Sequence, residues 1–276
     1  MNFRNDVIKI KKIFHNLPLF WKVVKFNFLK VIAYPWEWVA FFAQRIVFYS
    51  LLLIFWFAVA QSSANALNFR SLVAYFLIAS SVREVTFAYQ TKMGRDTMRY
   101  IQYGDLNNYL IKPVPTIPFL FFSYIGQNWM PIAYSAFAIV AGVIILPPVS
   151  IINILEFIAF LILAFMVSIS FNLFVAILGF HMIEANGLRN AFNHTAEIFS
   201  GILIPMTFFP GIFRTIVMYS PFPIVAFTPA YVLQNSLKFV EVFNLFSVSL
   251  IWAVGLLMFM IWWWKWSLRK YEGVGV

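Results

Sequence analysis

Apolar residues gather along the chain into runs of about 20, the length at which a helix crosses a hydrocarbon core of roughly 30 Å. Six such runs predict spanning helices at 38–60, 71–91, 122–146, 154–180, 191–209 and 246–264. Polar or proline-bearing stretches divide them, with Gln61, Ser62, Ser63 and Asn65 after the first and Pro147 and Pro148 after the third. Before the first run the pattern changes. Trp21, Val24, Phe28 and Val31 recur at i, i+3, i+7 and i+10, and Val7, Ile10 and Phe14 show the same spacing ahead of Pro18. Lys9, Lys11, Lys12, Lys22, Lys25 and Lys30 are interleaved with them. Residues 1–36 are therefore expected to form a basic amphipathic helix lying in the headgroup plane, with a disordered basic tail as the plainer alternative. No uninterrupted apolar core marks a cleavable signal there.

Composition narrows the class. Of 276 residues, 62% are hydrophobic and only 11% charged, against about 25% charged in soluble domains. A chain so poor in charge cannot cover a folded surface in water, and 34 Phe, 12 Tyr and 10 Trp exclude a disordered chain. The expected fold is an all-α integral membrane protein, with residues 1–276 as one transmembrane domain. Lys and Arg number 20 against 10 Asp and Glu. They crowd into the N-terminal arm, the 92–117 loop, Arg189 and the C-terminal tail, whereas Arg70, Arg214 and Lys238 fall on the other side. The crowded side is the expected cytoplasmic one. A multi-pass membrane protein follows, with both termini cytoplasmic. Trp36, Trp38, Trp262, Trp263, Trp264 and Trp266 are placed as inner-interface belts.

Two segments are more than lipid anchors. From Ser71 to Tyr103 there is no proline and one glycine, Gly94. A continuous helix there would be about 50 Å long and project past the bilayer. Gly104 suits a helix stop and Asp105 an N-cap, so Leu106 to Ile111 is expected as a short helix ended by Pro113. Held off the membrane, such a helix could dock on another protein; an ordinary loop is the alternative. In 199–231, Pro205, Pro210, Pro221, Pro223 and Pro229 are too dense for a spanning helix. Ile212, Val217, Phe222, Val225 and Phe227 are too apolar for a solvated loop, so short helices tucked into the outer leaflet or the protein interior are expected.

Arg45, Arg83 and Glu84 fall inside runs. An intramembrane charge marks a functional position by default; the alternative is a structural ion pair such as Arg45 with Glu84. His181–Glu184 and His194–Glu197 both read H-x-x-E, each placing His and Glu on one helical face. They are weak metal candidates, because a 13-residue offset turns the pairs about 220° apart on an unbroken helix; Gly187 could break it. No metal and no cofactor are expected in this chain. It contains no G-x-x-x-x-G-K-[ST] phosphate loop and no G-x-S-x-G or H-E-x-x-H motif.

Three local motifs add a resemblance. Gly104-Asp105-Leu106 followed by Leu110-Ile111-Lys112-Pro113, Ser200-Gly201-Ile202-Leu203-Ile204-Pro205 followed by Phe208-Phe209-Pro210, and Arg269-Lys270-Tyr271-Glu272-Gly273-Val274-Gly275 occur in order. With six spans they resemble the permease subunit of a bacterial type-2 ATP-binding-cassette (ABC) exporter, the third motif being similar to a multidrug or viologen-exporter branch. The resemblance implies no enzyme activity in this chain, a cytoplasmic ATPase subunit carrying ATP and Mg, and a second permease as homodimer or paralogous heterodimer meeting through the first and fifth spans, beside membrane lipid. It also implies the bacterial inner (cytoplasmic) membrane as the location, and that Asp105, Leu106, Asn107, Tyr109, Leu110 and Ile111 couple to that ATPase. The cargo would be lipophilic or amphiphilic: drug-like, lipid or peptide. Two other readings remain, a self-sufficient secondary transporter or channel using Arg83 and Glu84, and a lipid-modifying membrane enzyme using the H-x-x-E pairs.

Overall fold

The structure, a computed structural model, describes residues 17–62 and 68–271, with backbone alone at 62 and 87–91. The Val7–Ile10–Phe14 stripe and the tail from Glu272 lie outside the described residues. Among the described residues every regular element is helical.

Helix α1 (Leu17–Ile32) precedes α2 (Pro35–Ser62). Helix α3 (Phe69–Arg83) starts where Asn68 accepts hydrogen bonds from the backbone of Arg70 and Ser71. A π-helical turn, Glu84–Ala88, carries it without a stop into α4 (Tyr89–Gln102). The short α5 (Asn107–Leu110) is followed by α6 (Thr116–Gln127) and α7 (Trp129–Ile145). Then come α8 (Ile151–His181) and α9 (Asn186–Phe199). Short pieces follow: a 3-10 turn at Met206–Phe208, α10 (Gly211–Met218), a 3-10 turn at Pro223–Val225 and α11 (Phe227–Gln234). Helix α12 (Phe239–Leu268) is last.

Three helices are each long and apolar enough to cross a membrane: Pro35–Gln61, Ile151–His181 and Phe239–Leu268. The other three expected spans are not single regular α-helices. Arg83 and Glu84 sit where α3 passes into the π turn. The third run is two helices bent by 66° at Asn128. Pro131 lacks an amide hydrogen and its ring opposes the carbonyl four residues back, while Asn128 Nδ2 takes the Tyr124 carbonyl at 2.8 Å. The fifth run is helical only to Phe199. Gly201, with φ at 86°, turns the chain away, and Pro205 lacks the amide that would resume the ladder.

Helix α8 is the centre. From Phe157 to Leu178 it is buried at nearly every turn, against α4, α11 and α12. The α4–α8 seam is close because it uses glycine on both sides. A Cβ on Gly94 would stand 2.8 Å from the Asn172 carbonyl oxygen, and one on Gly179 would stand 2.7 Å from that of Met98. Asn172 Oδ1 also accepts the Gly94 amide at 2.9 Å.

Helix α1 packs on α6, with Phe20 stacked on Phe122 at 4.9 Å. Its buried side is Phe20 and Asn27. Trp21, on the apolar stripe, is 70% exposed, while the neighbouring Phe20 is the ring that fits the α6 surface. Trp264 lies buried against Phe180. The segment after α9 does fold back into the interior. Ile224, Val225, Ala226, Phe227 and Ala230 are buried, and the Phe227 amide donates to the Ser200 carbonyl at 3.1 Å.

Candidate coupling segment and intramembrane charges

The segment at 103–112 is built by the end of α4. Gly104 takes φ of 81°, the left-handed stop that glycine adopts at least cost. The chain then doubles back, and the Leu106 amide donates to the Tyr100 carbonyl at 2.9 Å. The N-cap position is Leu106 rather than Asp105, and no side chain caps it. Asp105 contributes its carbonyl, which accepts the Asn108 amide at 3.1 Å. The expected Asp105 side-chain cap is thus corrected: the turn places the cap and the first helical residue one position later, at Leu106 and Asn107.

Leu106 is also corrected. It does not face outward but is fully buried among Ile101, Leu173, Ile177, Met260 and Trp264, joining α4, α8 and α12. Tyr109 stacks on Tyr100 at 5.0 Å, and Lys112 Nζ lies 4.7 Å from the Tyr109 ring and 4.3 Å from that of Phe119. Burial, then hydrogen bonding with Tyr100, pushes the Tyr109 phenol pKa up. Asn107, Asn108, Leu110 and Ile111 face away from the bundle, Ile111 at 82% exposure, beside Tyr103 at 71%. The segment is a rigid knuckle, with one apolar side chain locked in the bundle and three large ones presented outward.

The charges inside the runs are paired across helices. Arg45 Nη2 of α2 donates to Glu84 Oε1 at 2.6 Å, and the Glu84 residue is only 6% exposed. Adjacent residues on a helix point apart, so Arg83 finds a different acid, Glu197 of α9. His194 Nδ1 lies 3.3 Å from the other Glu197 oxygen. Sequence reasoning named Arg45–Glu84 but missed Glu197 as the partner of Arg83. The signal was present: Glu156 lies at the edge of its run, leaving Glu197 as the other acid well inside one.

The two H-x-x-E pairs do not converge on a metal. Helix α8 ends at His181, so Glu184 is off its face; the break falls before Gly187. His181 Nε2 contacts Ser267 Oγ at 3.0 Å, and Glu184 accepts from Asn186 Nδ2 at 2.6 Å. Among the described residues no group of three or more His, Asp or Glu could hold a metal ion.

Residues 44–275 match the family described as ABC-2 family transporter protein. The match covers α3 to α12, the knuckle and both ion pairs. The chain belongs to the ABC-2 transporter family. No curated protein matches the chain. Membership makes this ABC-2 chain an all-α integral membrane protein and the permease subunit of an ABC transporter. It is a transport subunit rather than the ATPase, and the family works with an ATPase partner.

Proposed function

We propose that this permease belongs to an ATP-driven exporter that moves a lipophilic or amphiphilic cargo (drug-like, lipid or peptide) out of the cytoplasm. A separate subunit binds and hydrolyses ATP. The carrying observation is the knuckle: Leu106 is locked into three long helices while Leu110 and Ile111 lie exposed on its other side. A push on the exposed residues reaches α4, α8 and α12 together, because a close-packed core moves as a body. The asymmetric distribution of Lys and Arg supports a cytoplasmic placement of this end and of both termini, in the bacterial inner membrane.

A second permease completes the transporter, as homodimer or heterodimer. The outer face of α2 supports this, since Phe42, Ile46, Leu51, Ile54 and Phe55 are exposed along it. Membrane lipid covers what the partner does not. The multidrug branch is supported by the Arg269-Lys270-Tyr271 start of the tail motif.

The test is co-purification with the cognate ATPase and stimulation of its activity. Leu110→Asp and Ile111→Asp each put a carboxylate into an apolar contact, which is costly without a partner. Each variant should insert normally and retain the ATPase at least about tenfold less. Wild-type retention and stimulation by both variants would overturn the coupling role.

A further inference from the structure

Next to the knuckle, the ends of α4, α8, α9 and α12 enclose an open cavity of about 1160 Å³. Its four cations come from three places in the chain: Arg95 and Arg99 on α4, Arg189 on α9, and Lys270 just after α12. Its lining includes one acid, Glu184, which is hydrogen-bonded to Asn186. Among the described residues no carboxylate lies within 4.0 Å of Arg99, Arg189 or Lys270. Burial, then the charge of Arg95, lowers the pKa of Arg189, with Glu184 opposing. Guanidinium groups that repel one another across a cavity are stabilised by an anion between them.

The rim identifies the depth. Lys270 Nζ lies 4.0 Å from the Trp266 ring, and the His181 ring stacks beside Trp263 and Trp266 at 5.9 and 5.8 Å. Tryptophans gather where headgroups meet the hydrocarbon. The fork of an arginine matches a phosphate with two parallel hydrogen bonds. Basic pockets between spanning helices are a recurrent way of holding lipid headgroups.

We propose that this cavity binds the phosphate of an anionic phospholipid, with Arg99 and Arg189 as its principal donors and Lys270 closing the rim. The lipid would join α4, α8, α9 and α12 at the end where the knuckle receives the ATPase. The phosphate site stands on the cavity and its charges; its assignment to the inner leaflet rests on the orientation proposed above.

The experiment uses the full chain in mixed micelles of phosphatidylcholine and phosphatidylglycerol. Phosphatidylglycerol retained after washing is measured for wild type, Arg99→Gln, Arg189→Gln and, as a basic control outside the cavity, Lys112→Gln. Each cavity variant should retain roughly tenfold less, the size of one charge-assisted hydrogen bond, while Lys112→Gln retains the wild-type amount. Elution and thermal unfolding in phosphatidylcholine alone report folding, and a variant that misfolds there leaves the other to decide. Unchanged retention in the folded cavity variant overturns the site. So does inorganic phosphate that displaces the lipid at equal concentration, which would make the ligand a small anion. Displacement of the lipid by the ATPase would assign the cations to an acidic segment of that subunit instead. ATPase co-purification with the same variants reports the coupling role separately.

Discussion

Helix α8 has buried side chains at nearly every turn, whereas α2, of similar length and also apolar enough to cross a membrane, buries only Trp56 among its described residues. The difference is in how each is held. Helix α8 is enclosed by packing, with glycines letting α4 approach and apolar side chains filling the space. Helix α2 is joined to the bundle chiefly at polar points: Arg45 to Glu84, and Trp56 Nε1 to the Leu203 carbonyl at 3.3 Å. Alongside them a narrow stripe through Phe41, Phe48, Leu52 and Val59 is half-buried at helical spacing. Hydropathy sufficient to span therefore says that both helices belong in a membrane, and leaves to packing which one organises the protein. In hydrocarbon there is no hydrophobic force between helices, so close backbone approach and polar contacts decide their association.

That contrast can be broken most severely at the polar anchor. Glu84→Leu leaves the Arg45 guanidinium without its partner and should cost about 3–5 kcal/mol. Arg45→Leu combined with Glu84→Leu should recover most of the loss, because an apolar pair needs no compensating charge. Thermal unfolding of the four members of this cycle measures the coupling. A double variant as unstable as Glu84→Leu would show that α2 is held by packing after all.

A smaller effect is expected at the α8 seam. Gly94→Val would bring its Cβ within 2.8 Å of the Asn172 backbone, and overpacking of this kind costs about 1–3 kcal/mol. Its signature is a lower unfolding temperature with the Arg45–Glu84 coupling intact. Wild-type stability in Gly94→Val would mean that α4 and α8 do not need their close approach.

The smallest effect belongs to the outer face of α2. Leu51 is 64% exposed, so Leu51→Ala should leave the unfolding of the isolated chain within about 0.5 kcal/mol. The same variant is expected to weaken association of two permeases, read as a shift toward monomer in detergent. A large loss of stability in the monomer would instead place α2's outer face against the chain's own bundle.

Much of this was legible before any fold was known. Residue order marked the apolar helices, Gly104 as the stop after a long helix, the proline-dense fold-back, and Arg45 with Glu84 as a candidate pair. Other readings failed where a local signal met a competing contact. Asp105 has the chemistry of an N-cap, yet the turn after Gly104 places the cap one residue later. Leu106 reads as an exposed docking residue on a short helix, yet a bundle pocket takes it. The expected straight third span bends at Asn128, where Pro131 and an amide side chain disrupt the backbone ladder together.

What the sequence by itself determined about this protein is its solvent. Runs of about 20 apolar residues cannot be left in water. Only the tertiary structure decided which charge meets which, which side of the 104–111 segment is held and which is offered, and that Arg95, Arg99, Arg189 and Lys270 share one cavity. The reason is physical. Hydropathy is a property of a residue and its near neighbours, whereas an ion pair between positions 83 and 197 or a cavity drawn from four segments depends on how distant helices pack.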